Sequence, residues 1–345
     1  MLSFDKIHGA IEIARIYEGN PSEHRGNMEG SPVYWHRKKD KRYRIEIEDS
    51  DEYLSSKDFR IRYKISELEQ EQLKDCILDD KCPENSSLVK KFFKIREDLE
   101  ERLYGELILG PNEYLRTDFP DDKKVFPHHR LVVGGTGQGK TYACVSEALA
   151  NLQGKPSARL NILYLSTELE YDKTLKTILQ KRYQNLVTGV DTSEEAYQKW
   201  SEETEGGGSV QKWFEEEILS KVNSAKEHTH MYFDDSRDSP AHKQLLNLLN
   251  KALRTFRHKK ISVTSIQHRI RGREWTSQSF SSILGILLFP NSSKGKIVDF
   301  LAHDIGLGIR KARQCVKLFS DTGRTLFVRF HTPEALIGTR VIQLT

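Results

Sequence analysis

A chain of 345 residues, 37% hydrophobic and 30% charged, has the composition of a soluble globular protein, with room for one large domain or a core plus a smaller module. Its longest apolar run, Ile283 to Phe289, is strand-sized and far short of the roughly 20 residues a membrane span needs, so no span is expected. A net charge of +4 decides little; four cysteines without zinc-like spacing, and an N-terminus without a signal-peptide layout, argue for a reducing, intracellular setting.

In chain order, the first third reads as a separate α+β module. Arg37 to Arg42 is a basic run, either a solvated turn or a DNA contact. Tyr43, Ile45 and Ile47 alternate with charged residues, as do Phe59, Ile61, Tyr63 and Ile65; both stretches have strand periodicity. A helix is expected over Glu67 to Leu78, and a stronger one over Ser87 to Tyr104, with Leu88, Phe92, Ile95, Leu99 and Leu103 on one stripe. The polar, proline-marked stretch Phe119 to Lys124 sets a boundary, giving a module over 1–125 and a second domain over 126–345.

Beyond it, strands and helices alternate, the pattern of a mostly parallel sheet covered by helices. Leu131 to Val133 is the first strand, and Tyr142 to Leu152 is a helix ended by Gly154. Asn161 to Ser166 and Met231 to Phe233 are the next strands; between them Ser193 to Glu227, rich in Glu and containing Gly206 to Gly208, reads as an acidic loop or insertion. Asp238-Ser239-Pro240 opens a helix with Leu245, Leu249, Leu253 and Phe256 on its stripe. Strands follow at Ile261 to Ile266 and Ile283 to Phe289. A last helix with Ile309, Ala312, Val316 and Phe319 on one side then leads to a strand over Leu326 to Phe330.

The chemistry begins at Gly134-Gly135-Thr136-Gly137-Gln138-Gly139-Lys140-Thr141, which fits G-x-x-x-x-G-K-[ST] between a strand and a helix. Glycines let backbone N–H groups curl around a polyphosphate, and the helix N-terminus adds its positive dipole end. Lys140 can reach the β- and γ-phosphates of a nucleoside triphosphate, and the Thr141 hydroxyl can ligate Mg²⁺. Asp234, ending an apolar strand, suits a carboxylate that holds Mg²⁺ through its water shell. Asp235, directly after it, suits a base for the water that attacks the γ-phosphate.

Gln267 ends the Ile261 strand; were that strand to lie between the other two, its amide would reach the γ-phosphate or the attacking water, with Ser265 a competitor. Between Lys251 and Arg273 there are eight Lys or Arg, two His and no acidic residue. Arg257, before this strand, suits a finger reaching a neighbouring subunit's γ-phosphate, with Arg254, Arg271 and Arg273 as rivals. Lys259, Lys260, Arg269 and Arg271 suit a DNA backbone.

Taken together, these stretches resemble the FtsK–HerA superfamily of DNA-pumping ATPases, and within it the genome-packaging ATPases of large nucleocytoplasmic DNA viruses and virophages. Gly134 to Thr141, Tyr232 to Asp235, and Phe256 to Val263 running into Gln267 carry the resemblance, with Leu287 to Pro290, Lys296-Ile297, Phe300-Leu301 and Thr332-Pro333 in support. It covers roughly 126–345 and leaves the first third unmatched; many relatives have Asp-Glu where this chain has Asp234-Asp235. The resemblance implies a RecA-like P-loop core, ATP and Mg²⁺ as cofactors, and a homo-oligomeric ring (pentamer or hexamer) with arginines acting in trans. It also implies double-stranded DNA in a central channel and packaging into a preformed capsid, with capsid or portal-vertex proteins as further candidate partners. The setting it implies is the host cytoplasm or viral factory, or the virion. A cellular HerA-like or conjugation-type translocase shares this chemistry, and a nucleotide-dependent switch is the remaining alternative.

Overall fold

The strand and helix alternation of the second part of the chain folds as a largely parallel sheet covered on both faces. The computed structural model describes residues 1–4, 10–19, 30–37, 54–78, 81–110, 112–116, 127–153, 160–204, 207–270, 282–290, 294–331 and 334–344, without the side chains of 58 and 97–105. Its contacts define two units, one of Met1–Ile13, Pro32–Ile108 and Ile342–Leu344, the other of Ala14–Ser31 and Leu109–Val341.

In the larger unit eight strands form one sheet: β1 (His129–Val133), β2 (Asn161–Ser166), β3 (Val187–Asp191), β4 (Thr229–Asp234), β5 (Ile261–Gln267), β6 (Gly285–Leu288), β7 (Leu326–Arg329) and β8 (Ala335–Gly338). Their order is β8-β7-β6-β1-β5-β4-β2-β3. The six strands from β6 to β3 are parallel, and β7 and β8 add antiparallel. β5 thus lies between β1 and β4, the RecA-like arrangement of a P-loop core. β3 and β8 are additions that the sequence reading missed.

Period-two alternation sorts the strand residues between two cores. Leu131, Val133, Leu163, Leu165, Met231, Phe233 and Val263 face α2 (His242–Thr255), whose Leu245, Leu249 and Leu253 are buried there, and α3 (Ile309–Thr322). Val132, Ile162, Tyr164, Tyr232 and Ile266 face α1 (Lys140–Gln153) through Cys144, Val145, Ala148 and Leu149. By the same parity Asp234 belongs to the α1 side. At roughly 1.5–3 kcal/mol per large apolar side chain buried, these two cores supply the main favourable term for the unit.

Three expectations here need correction. The acidic stretch is not a loop but a set of helices: Glu194–Glu203, Val210–Trp213, a π-helical turn over Phe214–Leu219, and Ser220–Asn223. Ser193 and Ser209 cap two of them by accepting from Ala196 N and Lys212 N. Trp213, Phe214, Ile218 and Val222 join the core while the glutamates face solvent, and Gly208 packs so tightly under the Trp200 ring that a Cβ could not fit. Second, α2 starts after Ala241 with no side-chain cap; Ser239 Oγ instead accepts from Ala241 N within the turn. Third, Ile309 is exposed, so the buried stripe of α3 starts at Ala312.

In the smaller unit, Leu2–Ser3 pairs antiparallel with Tyr34 and Trp35, and helices cover Lys57–Tyr63, Glu67–Leu78 and Ser86–Gly105. The expected strand over Phe59 to Ile65 is therefore wrong. Alternation over so short a run also satisfies the helical i, i+4 pair Phe59–Tyr63, whose rings lie 4.9 Å apart. Ser56 accepts from Phe59 N at the start, Lys64 stops the helix in the left-handed region, and Ile61 points to solvent. Leu54, Phe59, Leu73, Leu88, Phe92 and Ile95 form this unit's core. The expected strand at Tyr43 to Ile47, the basic run from Lys38 on, the boundary at Phe119 to Lys124, Gly154, Arg271, Arg273, Thr332-Pro333 and the side chains of Leu99 and Leu103 lie outside the described residues.

Candidate active site

The carboxyl ends of β1, β4 and β5 converge, where ligands settle in open parallel sheets. β1 runs into the glycine loop, and Gly134 N donates to Gln267 O at 3.1 Å, tying the loop to β5. Two glycines are needed for conformation, Gly137 at φ 75° and Gly139 at φ 94°. Gly134 is needed for packing: a Cβ there would come within 2.9 Å of the Phe289 ring. α1 starts at Lys140, so its free N–H groups and dipole end face the loop.

Lys140 is a buried residue; its Nζ donates to Gly135 O at 3.1 Å and lies 3.4 Å from His268 Nδ1. Burial lowers its pKa, while Asp234 and Asp235 pull the other way. Thr141 Oγ1 donates to Asp234 Oδ2 at 3.3 Å, and Tyr164 donates its hydroxyl to the same oxygen at 2.9 Å. Burial pushes Asp234 up to about 6, with the Asp235 charge adding, although the Tyr164 and Thr141 hydrogen bonds and Lys140 oppose it. Burial and this carboxylate also hold the Tyr164 phenol well above its ordinary value.

Asp235 sits in the left-handed region at φ 47°, a conformation that Asp tolerates better than most residues and that recurs at functional sites. The turn it opens (Ser236–Asp238) leaves its carboxylate partly exposed, with Oδ2 3.1 Å from His268 Nε2. Gln267, half-buried, donates through Nε2 to Ser265 Oγ at 3.2 Å. Ser265 is itself buried, so it acts as an anchor for the Gln267 amide rather than as a rival facing the opening.

Lys140, Thr141, Asp234, Asp235 and Gln267 therefore meet at one end of the sheet. Arg257 does not join them. It belongs to the short turn Phe256–Lys259 that precedes β5, so the length of that strand, roughly 20 Å, separates it from the site of its own chain. There Arg254, Arg257 and His258, with Pro127, Leu253 and Ser282, line a cavity. Two side chains of the site escaped the sequence reading. Tyr164 was legible as core only; its even parity with Asp234 on neighbouring strands was the available signal. His268 directly follows Gln267, and nothing local distinguishes it from the rest of the basic segment.

No known family's sequence profile matches this chain, and no curated protein does either. Solved structures are similar at low identity. The genome packaging NTPase B204 from Sulfolobus turreted icosahedral virus 2, in complex with ATP-gammaS, is 14% identical with a TM-score of 0.36, over 62% of this chain and 96% of that one. The cytoplasmic domain of the Thermomonospora curvata Type VII secretion ATPase EccC is 12% identical with a TM-score of 0.40, over 68% of this chain and 28% of that one. The pCW3 conjugation coupling protein TcpA, with ATPgS, is 12% identical with a TM-score of 0.35, over 70% of this chain and 65% of that one. The likeness concerns the fold alone.

Proposed function

We propose that this chain is an ATPase that moves double-stranded DNA, and that its task is to package a viral genome into a preformed capsid. The observation that carries the ATPase reading is the convergence of the glycine loop, Lys140, Asp234, Asp235 and Gln267 on one sheet end. A phosphate cradle alone would serve a binding module; a second, partly exposed carboxylate at the same sheet end, where β5 also ends in the Gln267 amide, supplies what hydrolysis needs.

In this reading the loop N–H groups and α1 N-terminus hold the β- and γ-phosphates, and Lys140 turns its ammonium from Gly135 O to them. Gln267 orients a water, and Asp235 takes its proton as the water attacks the γ-phosphate. Thr141 and Asp234 would hold Mg²⁺. They are hard oxygen donors 3.3 Å apart, and a buried carboxylate raised to about 6 is one whose charge the protein alone does not offset. Among the described residues no cluster of three or more His, Cys, Asp or Glu forms a metal cage, which suits an ion that draws its other ligands from water and phosphate. When bound, Mg²⁺ offsets charge on the β- and γ-phosphate oxygens.

The DNA reading rests on the resemblance of the motifs and on the basic segment. Lys251, Arg254, Arg257, His258, Lys259 and Lys260 are all exposed at the end of α2 and in the turn that follows. Lys260 is partly neutralised by Glu227 at 2.8 Å; the others leave a positive face suited to phosphates. Arg257 lies a strand's length from its own site, which supports a role at the site of a neighbouring copy in a homo-oligomeric ring of five or six subunits, an arrangement worth about 10³ to 10⁵ in rate. Capsid or portal-vertex proteins would dock such a ring.

Duplex DNA is expected to raise ATP turnover several-fold at about 50 mM salt, with the effect fading toward about 200 mM as counterions compete for the phosphate contacts. Steady-state phosphate release across a DNA titration measures this, and no response at low salt would overturn the translocase reading.

A further inference from the structure

His268 stands between two of the residues assigned above to hydrolysis. Its Nδ1 is 3.4 Å from Lys140 Nζ and its Nε2 is 3.1 Å from Asp235 Oδ2. A lysine ammonium offers three N–H donors and no acceptor, so the ring nitrogen facing it must present a lone pair. A carboxylate can only accept, so the other nitrogen carries the hydrogen. One species meets both demands: the neutral imidazole with its proton on Nε2. Lys140, His268 and Asp235 then form one continuous donor–acceptor chain, Nζ–H to Nδ1 and Nε2–H to Oδ2.

The placement of the ring follows from the fold. His268 comes directly after the last residue of β5, a strand paired on both sides and carrying Gln267 at its end. Asp235, by contrast, sits in a turn with a left-handed backbone, and about a third of its side chain is exposed. Among the described residues, the hydrogen bond from His268 is the one made to this carboxylate; the Thr167 hydroxyl goes instead to the Asp235 backbone carbonyl at 3.3 Å. A short carboxylate on a turn needs a donor to fix its rotamer, and His268 is that donor.

We propose that His268 is a positioning residue: it holds the Asp235 carboxylate in line for its proton-accepting role and links that alignment to the state of Lys140. This rests on the hydrolytic reading of Asp235. Phosphate oxygens compete for the same ammonium that His268 Nδ1 faces, so nucleotide occupancy acts on one end of the chain while Asp235 sits at the other. His268 acts through Asp235 and Lys140.

The test compares His268→Ala, His268→Gln and Asp235→Asn with wild type, measuring kcat and KM for ATP. Affinity for a non-hydrolysable ATP analogue, from equilibrium binding, gives a readout without turnover. Glutamine can accept from Lys140 and donate to Asp235; alanine can do neither. In His268→Ala, kcat should fall about 10- to 100-fold, the equivalent of one charge-assisted hydrogen bond. Analogue affinity should stay within about threefold, because alignment rather than ground-state binding is lost. His268→Gln should recover most of the lost kcat. Wild-type kcat in His268→Ala, an equal loss of analogue affinity, or a His268→Gln variant as slow as His268→Ala would each overturn the positioning role. Wild-type turnover in Asp235→Asn would instead remove the hydrolytic reading, whatever His268 does.

Discussion

Asp234 is the residue at which function and stability pull apart. Its carboxylate is buried, and two hydroxyl donors, Tyr164 and Thr141, do not fully offset the lost hydration, so it titrates at about 6 against an ordinary 3.8. A folded-state value above the unfolded one means the native state holds a proton that the unfolded chain has released. Ionised Asp234 therefore destabilises the nucleotide-free protein above about pH 6, and below about pH 3.8, where both states are protonated, the penalty is gone. Asp234→Asn keeps an oxygen to accept from Tyr164 and Thr141 but carries no charge. It should stabilise the nucleotide-free protein by about 2–3 kcal/mol at pH 8, a gain that shrinks as pH falls from about 6 to 4. Urea unfolding at several pH values checks this; a loss of stability at pH 8 would contradict it. The same logic explains why Tyr164 is more than filler: it stacks on Tyr232 with ring centroids 5.1 Å apart, which fixes the hydroxyl that Asp234 accepts from.

Among the elements, the join between β1 and α1 matters most to the site, because the glycine loop is strung between them. Arg130 on β1 and Glu147 on α1 form a buried ion pair, both side chains about a tenth exposed. Glu147→Ala takes this ion pair away from Arg130 and should cost roughly 1–3 kcal/mol, and Glu147→Gln, which keeps an acceptor, less. The denaturant midpoints of wild type and the two variants measure this; a Glu147→Ala midpoint equal to that of wild type would contradict it. The elements also show where sequence patterns inform and where they mislead. The strands β1, β2, β4 and β5 were legible because each is a short apolar run bounded by polar residues, with the phosphate loop fixing the first. Lys57–Tyr63 was misread because an alternation this short fits both periods, and the capping serine that decides it lies just outside the apolar pattern. The helices around Trp213 were hidden by composition: so many glutamates obscure a stripe of only Trp213, Phe214, Ile218 and Val222, displaced further by a π turn.

At the scale of the molecule, a sheet with β5 between β1 and β4 sorts the chemistry into two ends. The carboxyl ends gather Lys140, Thr141, Asp234, Asp235, Gln267 and His268, while the amino end of β5 carries Arg254 and Arg257. Most of the first group could be read in the sequence, since motif spacing and strand ends locate it without coordinates. That Arg257 lies a strand's length away from its own site could not be read as a distance, because position in the chain does not say which end of a sheet a turn occupies until strand direction is known. His268 could not be read because its role depends on where Asp235 and Lys140 fall around it.

Whether this sheet end hydrolyses ATP with Asp235 as base, as proposed, is measured most directly by steady-state ATP turnover of Asp235→Asn with nucleotide affinity determined in parallel. ATP affinity should stay near that of wild type and turnover should fall by about 10²- to 10⁴-fold, the usual range for a lost general base. Turnover equal to wild type in this variant would contradict it.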